Sequence, residues 1–182
     1  MRTLFTAIVC IVSSLALPAQ DPGEDLIPWS STRKLTWADY KAAPNPASDA
    51  AATTTSYLIF SYSVSDNNFT YSIASKFSRT RSWGLHKTAY ILSHEQGHFD
   101  IAEIYARKFN KKLKEYSFNP RTYVKDLKKI YQEILDEKDN MQQEYDRETQ
   151  HSIHREKQAE WLKKIARLLD EYRDHADYQK RP

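Results

Sequence analysis

Two stretches of alternating polarity predict a β-hairpin in the first half of the chain. Apolar and polar side chains alternate with a period of two over residues 57–64, and the same alternation returns over residues 69–77. This alternation is typical of a strand with one buried face. The sequence Asp66-Asn67-Asn68 between the two stretches has the composition of a turn. The pattern therefore predicts two antiparallel strands joined by a short turn.

After Gly84 the apolar positions change to the spacing of amphipathic helices, three and four residues apart. We predict one helix that ends before Pro120, a second over about 122–148 and a third over about 153–172. Strands followed by long helices indicate an α+β protein, in which an N-terminal β-hairpin or small antiparallel sheet packs on a bundle of three long α-helices.

The N-terminus has the pattern of a bacterial secretory signal peptide, which we assign to residues 1–19. Arg2 supplies the positive charge, and a mostly apolar run follows over residues 4–17. This run is shorter than the about 20 apolar residues of a membrane span, so we expect cleavage and export to the periplasm or the cell exterior, without stable membrane insertion. We expect residues 20–34 to be a flexible lead-in and residues 35–182 to be a single domain.

Composition and charge exclude several classes of site. The one cysteine, Cys10, lies in the predicted signal peptide. The exported chain therefore has no disulfide, no cysteine nucleophile and no thiolate metal site. The chain has 27 Lys and Arg against 24 Asp and Glu, and so small an excess of positive charge gives no reason to expect nucleic acid as a partner.

The sequence His94-Glu95-Gln96-Gly97-His98 lies within the first predicted helix. His94 and His98 are one turn apart on the same face, so both imidazoles can reach one Zn²⁺ at about 2.0–2.1 Å. Glu95 points about 100° away, where its carboxylate can accept a proton from zinc-bound water. The motif therefore predicts a zinc site with Glu95 as general base.

Gly97 is an unusual residue for the interior of a helix, where glycine costs about 1 kcal/mol relative to alanine. Either another group approaches the backbone closely there, such as a packed strand or a bound peptide, or the glycine is a neutral choice.

A catalytic zinc ion needs a third protein ligand. Asp100 and Glu103 are rotated by roughly 140–200° from His98 around the helix, so neither can reach the same ion. The end of the second helix is better placed, because an antiparallel second helix would bring its later turns back beside the two histidines.

Within that segment we favour His151 as the third ligand, with Glu148 and Asp146 as alternatives. If Asp146 is not a ligand, it could orient a ligating histidine. Tyr145 is assigned as a catalytic hydrogen-bond donor to the developing oxyanion, with a place in the apolar core as its alternative.

Several segments together resemble a family of bacterial exported proteins that is known as a domain of unknown function and described as secreted zinc-dependent proteases. The resemblance covers residues 35–170 and is carried by Leu35-Thr36-Trp37-Ala38-Asp39-Tyr40, by residues 94–103, by Tyr145-Asp146-x-Glu148-Thr149-x-His151, and by Gln158 and Trp161.

The resemblance implies a zincin-like fold in which His94, His98 and His151 bind zinc and Glu95 acts as base. The family tends to have glycine after the last histidine, whereas this chain has Ser152. The difference affects the local geometry if that position adopts a left-handed conformation.

We therefore expect a zinc-dependent metalloprotease that hydrolyses peptide bonds of a peptide or protein substrate. An exposed edge of the hairpin over residues 57–77 could align an extended peptide by strand addition. One alternative is an amidase that acts on cell-wall peptide. Another is a non-enzymatic envelope protein with a structural or vestigial metal site and a helical partner-binding surface. Glu95 between the ligands favours catalysis, because a purely structural site has no use for that carboxylate.

Overall fold

The structure is a computed structural model that describes residues 23–65 and 68–180. The predicted signal peptide, residues 1–19, lies outside the described residues, and so do Asp66 and Asn67 of the predicted turn. The strands of the described chain are β1 (Leu26–Pro28), β2 (Ala52–Thr53), β3 (Ser56–Ser65), β4 (Asn68–Ser78) and β5 (Trp83–Gly84). Its long helices are α1 (Ala89–Glu115), α2 (Tyr123–Thr149) and α3 (Arg155–Glu171), and short 3-10 helices span Trp37–Asp39, Arg173–His175 and Asp177–Lys180.

The predicted hairpin is confirmed as β3 and β4, which pair antiparallel from Ser56 opposite Phe77 to Ser65 opposite Asn68. β1 pairs with the other edge of β4, and β2 and β5 form a separate two-stranded sheet. The apolar face of the hairpin, which includes Leu58, is buried against the helices. The fold is thus α+β, with small antiparallel sheets packed on three helices, as predicted.

α1 is the central element, because it lies between the larger sheet and the other two helices. Thr88 caps its N-terminus by accepting a hydrogen bond from the backbone N–H of Ile91. Apolar residues on several sides of α1 are fully buried, among them Ile101, Ile104 and Phe109. No helix in the part of the chain that the structure describes is long and apolar enough to cross a membrane.

α2 runs antiparallel to α1, as expected from the position of Pro120. Tyr116, just after α1, donates its hydroxyl hydrogen to Asp126 in the first turn of α2, at 3.3 Å. Near the other end of α2, Gln142 donates a hydrogen bond to the backbone carbonyl of His98 at 2.9 Å. The last turns of α2 therefore lie beside the two histidines of α1.

The expectation of a flexible lead-in over residues 20–34 is wrong for the residues that the structure describes there. β1 extends the sheet, and the buried side chain of Trp29 donates its indole N–H to Asp100 at 2.7 Å. The proline and glycine content indicated a loop, but the apolar side chains among those residues find partners far along the chain. This contact also accounts for Asp100, which is engaged away from the two histidines.

Candidate metal centre

Three potential ligand atoms converge between α1 and α2. The Nε2 atoms of His94 and His98 are 3.2 Å apart, and Asp146 Oδ1 lies 3.1 Å from the first and 3.0 Å from the second. Ligands at 2.0–2.1 Å from a tetrahedral zinc ion are separated by about 3.3 Å. The three atoms therefore already have nearly the spacing of three corners of a zinc coordination tetrahedron. Among the described residues this is the group that meets the geometry of a metal site.

Gln142 determines which nitrogen of His98 faces the centre. Its side-chain N–H donates to the His98 backbone carbonyl, so its Oε1 is turned toward Nδ1 of the same residue. Nδ1 of His98 must then carry a proton that it donates to Gln142. When His98 is neutral, its lone pair is therefore on Nε2 and faces the centre, which is the arrangement that a metal ligand requires. When His98 is protonated instead, Nε2 donates a hydrogen bond to Asp146.

The charges of the three groups differ because their surroundings differ. Burial lowers the pKa of His94. Burial also acts to lower the pKa of His98, but the hydrogen bond and negative charge of Asp146 outweigh it and raise that pKa. For Asp146, burial favours a higher pKa, yet hydrogen bonds from both imidazoles hold its pKa well below the usual range. The centre thus contains a carboxylate anion that faces two imidazoles, a combination that favours a bound cation.

Glu95 is buried beside this centre and is held in place by a short chain of hydroxyl groups. Thr54 donates its hydroxyl hydrogen to Glu95 Oε2 at 2.7 Å, and the Tyr40 hydroxyl lies 2.9 Å from Thr54 Oγ1. Burial raises the pKa of Tyr40, so this phenol stays protonated and can donate to Thr54. The carboxylate of Glu95 is therefore held by the loop between β2 and β3, which is supported in turn by the residue after the first 3-10 helix.

His94, His98 and Asp146, whose three converging atoms form the ligand triangle, open with Glu95 into one cleft of about 480 Å³. α1 and α2 form one side of the cleft, and residues 50–56 form the wall that faces them. The lining comprises residues 50–56, His94, Glu95, His98, Lys138, Asp139, Gln142, Asp146, His151 and Ser152. The wall beside the site is thus formed by β2 and the start of β3. Further along β3, which is the hairpin edge where the sequence predicts strand addition by a peptide, Tyr131 donates a hydrogen bond to the Leu58 carbonyl.

His151, the third ligand predicted from the sequence, lies next to the centre but outside the ligand triangle. Its Nδ1 is 3.5 Å from Asp146 Oδ1, and its side chain is 70% exposed. Gln150, His151 and Ser152 have φ angles of 49°, 51° and 74°, and this left-handed turn directs His151 toward the rim of the cleft. Of the two alternatives, Asp146 is the one that the structure brings to the histidines. Glu148 instead accepts a hydrogen bond from the Trp161 indole at 2.7 Å.

The sequence predicts Tyr145 as an oxyanion donor, but the structure places this side chain in the core, away from the cleft. The side chain is fully buried, its ring stacks on His94 with 4.4 Å between centroids, and its hydroxyl donates to the His94 carbonyl oxygen at 3.3 Å. It is also absent from the lining of the cleft. The core alternative is the supported one, because Tyr145 continues the apolar stripe of α2 behind the centre.

The same ring explains Gly97. A Cβ atom on Gly97 would lie 2.6 Å from the hydroxyl oxygen of Tyr145 and 2.9 Å from its Cζ. The group that approaches the helix backbone is thus a side chain of α2, neither a strand nor a peptide.

Sequence reasoning missed Gln142 and Thr54, which form hydrogen bonds with His98 and Glu95. Gln142 precedes Asp146 by four residues, so the two lie on one face of α2, and that spacing was the available signal once Asp146 was a candidate. Thr54 carried no signal, since its role depends on how the loop before β3 packs over α1.

Comparison with known proteins identifies a family but no characterised relative. The family model described as "Bacterial protein of unknown function (DUF922)" matches residues 18–152. This span includes β1, the cleft wall, α1 and α2, and hence all of the residues of the ligand triangle and Glu95. No curated protein and no solved structure matches the chain.

Proposed function

The chain belongs to the DUF922 family of bacterial proteins of unknown function, and we propose that it is an exported zinc-dependent metallopeptidase. The observation that carries the proposal is the convergence of His94 Nε2, His98 Nε2 and Asp146 Oδ1 within 3.2 Å of one another, with the buried carboxylate of Glu95 beside them in the same cleft. The N-terminal signal pattern supports export.

The donor set fits zinc. Two imidazole nitrogens and one carboxylate oxygen are ligands that zinc accepts, and three protein ligands leave a position open for water or substrate, as in catalytic rather than structural sites. Asp146 replaces His151 in this proposal because it already completes the triangle. His151 lies at the open side of the centre, where it can contact a bound substrate.

Bound zinc would polarise the scissile carbonyl and make a water molecule easier to deprotonate. Glu95 would take the proton from that water and pass it to the nitrogen of the leaving amine. Thr54 holds one carboxylate oxygen of Glu95, so we assign the proton transfer to the other oxygen. Gln142 would keep the His98 ring in the tautomer that binds the metal.

Metal analysis of purified variants tests the centre. We expect about one zinc ion per chain in the parent, loss of zinc in His98→Ala and Asp146→Ala, and retention of zinc in Glu95→Gln and His151→Ala. Absence of zinc from a parent protein purified with zinc present would refute the proposal. Loss in His151→Ala together with retention in Asp146→Ala would instead restore the third ligand predicted from the sequence.

Hydrolysis is tested by incubating zinc-loaded parent with a peptide library and with cell-wall peptides, and by identifying new termini by mass spectrometry. Glu95→Gln is the matched control, because it should keep the metal but lose activity, and it exposes any contaminating protease. Zinc binding without cleavage of any substrate would favour the non-enzymatic alternative over the peptidase.

A further inference from the structure

Lys138 places a cation on the wall of the cleft. Its side chain is only 13% exposed and lines the same cleft as the metal centre. Its ammonium group is 3.1 Å from the carboxylate of Asp139, whose side chain is 60% exposed. For comparison, the side chain of Lys129 on the same helix is 75% exposed and does not line the cleft. The stem of Lys138 is thus enclosed by protein, unlike that of an ordinary surface lysine.

The position of Lys138 on α2 gives its distance from the metal centre, where the scissile bond of a substrate would lie. Lys138, Gln142 and Asp146 follow one another at four-residue steps and lie on one face of the helix. Eight residues correspond to about 12 Å along the helix axis. An extended peptide rises about 3.3 Å per residue, so a group that meets the lysine lies about three or four residues from the bond at the metal.

The opposite wall offers little else for selecting a substrate. Residues 50–56 are Ala-Ala-Ala-Thr-Thr-Thr-Ser, so no side chain there is larger than threonine. Such a wall lets a peptide backbone approach closely but supplies no deep apolar pocket. Apart from histidines, Lys138 is the one cationic side chain among the described residues of the lining.

Building on the proposed peptidase function, we propose that Lys138 selects peptides that carry a carboxylate three or four residues from the scissile bond. The carboxylate can be an acidic side chain or the free C-terminus. An ammonium group has three N–H donors, so it can keep its contact with Asp139 while it binds the substrate.

Binding to the zinc-loaded Glu95→Gln protein, which should not cut peptides, tests the proposal independently of catalysis. The probes are rhodamine-labelled decapeptides of alanine, glycine and serine with one glutamate scanned over the positions, and a matched set with glutamine, all amidated at the C-terminus. A third set without glutamate has a free C-terminal carboxylate. Fluorescence anisotropy gives the dissociation constants.

We expect the best glutamate or free-acid peptide to bind about tenfold more tightly than its neutral counterpart. Lys138→Gln, introduced into the same protein, should remove this preference without changing zinc content. Lys138→Arg should largely keep it, and the control Lys129→Gln should leave it unchanged. The glutamate and free-acid sets show which source of the carboxylate is bound.

Equal affinity for acidic and neutral peptides before Lys138 is changed, absence of binding to either, or a preference that survives Lys138→Gln would each overturn the proposal. The peptidase and the carboxylate site can fail separately. A carboxylate preference without cleavage by the parent would refute the peptidase function and support the carboxylate site at Lys138. Cleavage without that preference would support the peptidase function and refute the carboxylate site.

Discussion

Replacement of Gly97 by alanine tests how tightly α1 and α2 pack beneath the metal centre. Helix propensity alone predicts that Gly97→Ala stabilises the protein by about 1 kcal/mol. The structure predicts the opposite sign, because the new Cβ would lie 2.6 Å from the hydroxyl oxygen and 2.9 Å from Cζ of Tyr145. Atoms in ordinary contact are about 3.5 Å apart or more, so the ring would have to move by roughly 0.6–0.9 Å.

The ring of Tyr145 has little room for such a shift. It is fully buried, and its centroid lies 4.4 Å from that of His94 and 5.4 Å from that of Trp161. Overpacking of a closed core costs about 1–3 kcal/mol, and a 2.6 Å contact with a fully buried ring belongs in the upper part of that range, at about 2–3 kcal/mol. After the gain in helix propensity is subtracted, we expect Gly97→Ala to lower the free energy of unfolding by about 1–2 kcal/mol. Zinc affinity should fall as well, because the displaced ring pushes on His94.

Urea unfolding of the metal-free proteins measures this loss without a contribution from zinc. The parent, Gly97→Ala, Tyr145→Phe and the double variant form a cycle. Phenylalanine lacks the hydroxyl oxygen that is nearest to the new Cβ, so Gly97→Ala should cost about 1 kcal/mol less in that background. If Gly97→Ala is as stable as the parent or more stable, or if its cost is the same in both backgrounds, the packing argument is wrong.

Three further predictions concern residues around the centre. Gln142→Leu should weaken zinc binding by about 10–100-fold. Gln142→Glu can still accept a hydrogen bond from His98 Nδ1, so it should lose less zinc affinity. Equal losses of affinity, measured in competition with a zinc chelator, would contradict the orienting role of Gln142. Ser152→Gly should raise the free energy of unfolding by about 0.5–1 kcal/mol, because φ is 74° at this position, while Ser152→Ala in the same urea titration should give no gain. Burial favours a higher pKa for Asp39, but hydrogen bonds from the Thr36 backbone and a neighbouring arginine outweigh it and lower that pKa. The resulting stability is present above the unfolded pKa of 3.8 and is lost as the pH falls through the folded pKa. Asp39→Asn should therefore have a lower free energy of unfolding than the parent at pH 7, and the difference should disappear in acid. A difference that stays constant down to pH 2 would refute this.

Local patterns were sufficient for the features that lie within one element. The alternation over residues 57–64 and 69–77 predicted β3 and β4, and apolar spacing predicted the three helices, because each pattern reports which face of an element is buried. The pairing of His94 with His98 was equally predictable, since one helical turn fixes the distance between them.

The lead-in and Gly97 are features that a local sequence pattern could not predict. β1 is a strand only because β4 offers it an edge, and its own composition indicated a loop. Gly97 is small because Tyr145, which lies 48 residues later, packs against it. In both cases the deciding contact joins residues far apart in the chain, and no short window contains it.

The third corner of the ligand triangle depended on tertiary structure in the same way. The sequence by itself predicted that the end of the second helix lies near the histidines, with Asp146, Glu148 and His151 in that segment. Only the structure shows which of them lies beside both histidines, because this depends on the rotation of α2 against α1 and on the left-handed turn that leads His151 to the rim. Residue spacing determines the geometry within a helix, whereas the relative rotation of two helices is determined by how their side chains pack.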